Sequence, residues 1–266
     1  MLHRQTSRRG VLRGAAYGGA GLAAAALVGC GGSSGGTGGG GEDGGTPKPG
    51  GVLRASSIDV TGLDVYRAAS FTTHALGSYV YNRLFRFKTQ RGELPTDQWY
   101  TPEPELVAEW EQPDPTTYVL TLKDGVKWHN VPPLNGRPLT AQDIVDSFTI
   151  FRQRATNRDN FSMVDTVEAT PDGRQVTFKL KEPFALFIER LASFQDFWVV
   201  PREIAGNPDL ANQTLVGSGP FILESYERGV AWRFRKNPDY FERDEFGNQL
   251  PYVDALEYPI LGDSNA

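Results

Sequence analysis

A few side chains in this sequence could do chemistry, and their spacing decides which chemistry. Beyond the first thirty residues the histidines are His74 and His129, far apart and outside any HExxH or CxxC spacing that would make a metal shell. Neither stands near a G-x-S-x-G elbow. Gly217-Ser218-Gly219 lacks the further positions of that motif, so no serine is matched to a base. The same run enters a strand rather than a helix, which does not suit a loop that cradles phosphate. Asp143 and Asp146 are acids three apart on one helix face, the ordinary pattern of a solvated surface. The sequence predicts no catalytic residue, no metal site, no cofactor and no enzyme. One reactive group is left over: Cys30, the single cysteine.

Its surroundings explain it. Arg4, Arg8, Arg9 and Arg13 precede a Gly- and Ala-rich apolar run from Ala15 to Gly29, with no acid between them. A basic start, a short apolar stretch and a small-residue exit form the layout of an export signal, and the stretch is below the roughly 20 residues a bilayer span needs. Paired Arg8 and Arg9 resemble a twin-arginine signal. Leu27 to Cys30, "LVGC", resembles a bacterial lipobox, whose cysteine is acylated and becomes the new N-terminus. Residues 1–30 are therefore expected to be a twin-arginine-type lipoprotein signal peptide with Cys30 as the lipid attachment point; an ordinary signal with a chance cysteine is the alternative. Residues 31–51 hold twelve glycines in 21 positions and read as a flexible tether.

Without residues 1–30, 23 Lys and Arg face 32 Asp and Glu. An acidic body argues against nucleic acid and against electrostatic adhesion to anionic lipid. Residues 52–266 suffice for a sizeable core.

The elements that must position any site follow from periodicity. A short strand is predicted over 52–56, and a helix over 72–84 from Leu76, Tyr79, Val80 and Leu84. Two strands flank the Pro-Asp-Pro turn at 113–115, with Tyr118, Leu120 and Leu122 on the dry face. The clearest helix starts at Thr140, a cap candidate with Asp143 three residues on, and carries Ile144, Val145, Phe148 and Phe151 as its apolar stripe. A strand, a Pro-Asp-Gly turn and a return strand place Val176, Phe178 and Leu180 inward. A short helix over 184–191 leads to "FWVVP". A hairpin then offers Phe221, Leu223, Trp232 and Phe234 to the core, and a last strand spans 253–261. Hairpins and helices intermixed without strict βαβ alternation make a mixed α+β body.

Tyr118 to Phe148, "YVLTLKDGVKWHNVPPLNGRPLTAQDIVDSF", resembles the signature region of the family 5 extracellular solute-binding proteins, the peptide-, nickel- and oligopeptide-binding components of ABC importers. "VDTVEATPDGRQVTFKLKEPFALFIERLA" and "VGSGPFILESYERGVAWRFRKNPDYF" resemble the family's next blocks, and "PYVDALEYPILGD" the strand that leads toward the hinge. Ser218 stands where Thr is usual and Phe241 where Trp is usual. The resemblance implies a periplasmic-binding-protein-like class II fold. It also implies that 52–266 is the first lobe of a bilobed receptor, truncated near the hinge, with an apolar cleft wall and a sheet edge left open.

It further implies a lipid-anchored, extracytoplasmic receptor. Such a receptor would capture a peptide or similar organic solute, deliver it to the permease subunits of an ABC importer and act as a monomer. The alternatives are a non-transporting surface lipoprotein with the same fold, or a truncated inactive fragment. Four stretches are expected at the cleft. Ser70, Phe71 and Thr72 precede the first helix, where capping is the competing role for Ser70 and Thr72. Phe161 and Met163 would be apolar walls, unless they simply pack in the core. Gln195 and Phe197 come next. Gly217, Ser218 and Gly219 would either offer backbone amides to a ligand carboxylate or form a plain turn.

Overall fold

Thr140 and Asp143 set the start of the longest helix. The Thr140 backbone N–H donates to Asp143 Oδ2 at 2.9 Å, the reciprocal half of a capping box. A computed structural model describes residues 47–68, 70–89 and 95–262; the expected signal peptide, Cys30 and the expected tether up to residue 46 lie outside the described residues. In chain order the strands are β1 (Val52–Arg54), β2 (Phe85–Phe87), β3 (Pro102–Pro104), β4 (Val107–Asp114), β5 (Thr117–Leu122), β6 (Val164–Ala169), β7 (Gln175–Leu180), β8 (Phe221–Glu227), β9 (Ala231–Lys236) and β10 (Ala255–Pro259). The helices are α1 (Phe71–Gly77), α2 (Ala141–Arg154), α3 (Phe187–Ala192) and the one-turn α4 (Arg202–Ala205) and α5 (Pro208–Ala211).

Two four-stranded sheets carry the lobe. One has the order β1-β10-β9-β8, with β1 parallel to β10 and the rest antiparallel. The other, β4-β5-β7-β6, is wholly antiparallel, and β2 and β3 make a small ribbon. The mixed α+β architecture is as expected. Val52, Leu53 and Arg54 of β1 are all exposed, and β1 forms an open sheet edge among the described residues.

The alternation in β5 and β7 behaves as its spacing dictates: Tyr118, Leu120, Leu122, Val176, Phe178 and Leu180 are buried. Against that face α2 packs Ile144, Phe148 and Phe151, with Val145 only half-buried. Six phenylalanines close the centre. Phe148 meets Phe161, Phe178 and Phe197 edge-on at 5.2–5.6 Å, and Phe187 abuts Phe178 at 5.5 Å. Such edge-to-face pairs add about 0.5–1.5 kcal/mol each beyond area burial.

The first strand ends at Arg54 and the last spans only Ala255–Pro259, and two helices also differ from expectation. α1 stops at Gly77 rather than running to residue 84, because the next carbonyls are used elsewhere: Tyr79 O accepts from Phe221 N and Val80 O from Gly219 N. α3 starts at Phe187, after a turn at 184–186. In the β8–β9 hairpin Phe221, Trp232 and Phe234 are buried as expected, while Leu223 is half-buried beside a register shift.

Candidate functional site

Three separate stretches converge on one recess of about 290 Å3, lined by Ser70, His74, Thr156, Asn157, Asn160, Arg190, Ser193, Gln195 and Asp196. The first leads into α1, the second follows α2, and the third runs from α3 into the segment before Trp198. Hydrogen bonds between them fix the shape. Asn157 Nδ2 donates to Gln195 O at 2.6 Å, and Asn160 Nδ2 donates to Asp196 Oδ1 at 2.6 Å. His74 Nδ1 lies 3.0 Å from Phe194 O. Behind the recess the Tyr66 hydroxyl donates to Trp198 O at 2.8 Å, and Ser147 Oγ accepts from Val200 N at 2.9 Å, so α2 and the third stretch are held as one wall.

His74 is buried, and Trp198 Nε1–H donates to its Nδ1 at 3.0 Å. A bare Nδ1 accepts that bond, whereas a protonated Nδ1 donates to Phe194 O instead, so each tautomer keeps one of the two contacts. Burial lowers the pKa of His74; the carbonyl of Phe194 and the charge of Asp196 oppose the shift without reversing it. At neutral pH the ring is a neutral wall of the recess. Arg190 Nη1 and Asp196 Oδ2 are 3.4 Å apart, the one cation and one anion of the lining.

The expected residues divide. Ser70 and Gln195 line the recess. Phe71, next to Ser70 in sequence, is 66% exposed, meets Phe194 edge-on at 5.4 Å and does not line the recess. Thr72 is half-buried in the first turn of α1, and Ser70 takes the N-cap position with no side-chain capping bond. Met163 is half-buried against the core.

Phe161 and Phe197 need correcting: both are sealed in the phenylalanine cluster and offer no surface to a solute. Gly217, Ser218 and Gly219 need it too. Gly217 N donates to His129 Nδ1 at 3.3 Å, Gly219 N to Val80 O at 2.8 Å, and the Ser218 hydroxyl to Asn82 Oδ1 at 2.9 Å. A Cβ on Gly217 would stand 2.2 Å from Val80 O, so the glycine serves a close backbone approach. His129 then donates Nε2–H to Gly219 O at 3.1 Å. Burial pushes the pKa of His129 down to about 4.

The recess itself is polar in its lining. Asn157, Asn160, Arg190 and Asp196 were not expected at the site. Asn157 and Asn160 lie within "ATNRDNFS", just before the Phe161 to Met163 stretch, and clustered amides there are the signal that could have found them.

The profile of the bacterial extracellular solute-binding proteins, family 5, matches residues 101–266, well over half of the chain. The chain belongs to this family. Among curated relatives, this family 5 chain is 26% identical over 252 residues to the oligopeptide-binding protein AppA of Bacillus subtilis, covering 90% of the chain and 42% of AppA. It is 28% identical to probable di/tripeptide-binding protein 5 of Pseudomonas aeruginosa, covering 77% of the chain and 40% of the relative. The chain thus spans about two fifths of the length of these relatives.

The solved structure of MoaA from Agrobacterium, in complex with mannopinic acid, superposes with a TM-score of 0.65 at 26% identity, over 80% of this chain and 41% of that one. AppA in complex with a nonapeptide superposes with the same TM-score at 23% identity, which speaks for the fold alone. The family 5 fold is a class II solute-binding fold, of which this lobe forms part. Its members are extracytoplasmic receptors rather than enzymes. Among the described residues no helix is long and apolar enough to cross a membrane.

Proposed function

We propose that this family 5 chain is the solute-contacting lobe of an extracytoplasmic receptor. It captures a peptide or similar organic solute and passes it to the permease of an ABC importer. One observation carries the reading: three stretches remote in sequence are tied by side-chain hydrogen bonds into a single polar recess. A concave site with convergent polar groups suits reversible capture. In such receptors two lobes close on the solute like a hinge and exclude water. No step of bond chemistry is needed, and the acidic body gives no purchase for nucleic acid.

The chain works as a monomer held to the membrane by lipid on Cys30, with residues 31–51 as slack. Labelled palmitate should enter the wild-type protein and not the C30A variant; equal labelling of both would remove the anchor. For capture, the test is equilibrium dialysis against a mixed library of di- to pentapeptides, read by mass spectrometry. Retention of peptides that falls several-fold in Gln195→Ala and Ser70→Ala supports the reading. No retention, or retention indifferent to both substitutions, contradicts it.

A further inference from the structure

A second concavity, of about 270 Å3, opens where the β2–β3 ribbon, the β4–β5 hairpin and the start of α3 meet. Phe85, Trp110 and Tyr118 wall it, Pro102 and Pro104 add apolar surface, and Glu189 is its one charged group. It shares no lining residue with the polar recess. The rings form a corner. Trp110 stands edge-on to Phe85, at 6.2 Å and 87°, and lies nearly parallel to Tyr118, at 6.2 Å and 26°. Trp110 remains 42% exposed on the strand β4, opposite the buried Leu120 of β5.

The polar groups of this corner narrow the guest. Pro102 and Pro104 have no N–H to offer. Gln112 Nε2 is spent on the Tyr118 hydroxyl at 2.9 Å and on Pro115 O at 3.4 Å. Among the described residues the Glu189 carboxylate has no ion pair and no hydrogen bond, so it stands as an uncompensated negative charge beside the rings. Burial and, after it, the charge of Glu189 raise the pKa of Tyr118, so that charge is felt at the ring wall. The ring faces themselves attract cations. A primary ammonium has three N–H donors to place, and the corner offers them a single carboxylate. A cation whose charge is spread over methyl groups needs no such acceptors and covers the exposed indole. No Lys or Arg lines the corner, so a guest with an anion of its own meets only repulsion from Glu189.

We infer that this corner binds a small, free quaternary ammonium solute that carries no anion of its own, with Trp110 and Phe85 around its methyl groups and Glu189 as counter-ion. The site stands apart from the recess and does not depend on the receptor reading.

Choline is the probe. It is titrated into the full 15N-labelled chain, and the indole N–H signal of Trp110, assigned by its loss in Trp110→Phe, is followed. The expected result is a saturable shift, at least tenfold weaker with 3,3-dimethylbutanol, which has the same shape without the charge. Binding should also weaken several-fold in Glu189→Gln, a half-buried position whose side chain makes no internal bond, so the urea midpoint should stay unchanged. Phosphocholine, the soluble form of a lipid headgroup, should bind several-fold more weakly than choline. No shift with choline, equal affinity for its neutral isostere, or indifference to Glu189→Gln would overturn the inference. Phosphocholine binding as tightly as choline would assign the corner to headgroups and overturn the free-solute claim. Gln195→Ala should leave choline binding unchanged; a loss there would move the cation to the polar recess and equally end the inference.

Discussion

Protonating His129 would turn its Nδ1 from an acceptor of Gly217 N–H into a donor aimed at a donor. With its pKa depressed from 6.5 to about 4 by burial, the folded lobe binds this proton less readily than the unfolded chain does. The sign follows: the stabilisation is whole above pH 6.5, falls as pH drops toward 4 and is gone below it, on the order of 3 kcal/mol in all. Urea midpoints measured from pH 7.5 to 4 should therefore fall more steeply in the wild type than in His129→Gln. Parallel curves would show that the imidazole is not held neutral. His74 is shifted in the same direction. This residue-level role was hidden in the sequence: His129 and Gly217 are far apart in the chain, and only the fold shows that "GSG" spends its amides inside the lobe.

At the scale of elements, local chemistry was legible wherever it was sufficient. Thr140 and Asp143 marked the start of α2, and the alternation in β5 and β7 named their buried faces. Thr140→Ala should cost about 1 kcal/mol, seen as a small fall in the urea midpoint, with no change in solute binding. α1 was misjudged because Leu76, Val80 and Leu84 keep helical spacing while the carbonyls of Tyr79 and Val80 are taken by Gly219 and Phe221. Periodicity cannot see a distant partner. That junction should be intolerant: Gly217→Ala puts a methyl against Val80 O and should destabilise the lobe by on the order of 2–3 kcal/mol. A melting point unchanged by Gly217→Ala would contradict the packing described.

For the whole molecule, family blocks in one order were enough to predict the architecture, while the lining of the recess was only partly named. Ser70 and Gln195 were named from the sequence; Phe161 and Phe197 were apolar residues of the right stretches whose side chains the core claimed. An aromatic in a cleft loop and an aromatic in a core look alike until the partners are known. Asp196 was passed over because nothing in "SFQDFW" tells which side chains of that stretch face the recess.

The account stands or falls on where solute lands. Amide shift mapping of the 15N-labelled chain with the di- to pentapeptide library addresses it directly. The expected result is saturable shifts confined to residues 70–74, 156–160 and 190–196. Shifts centred on another face, or none at these three stretches, would contradict it.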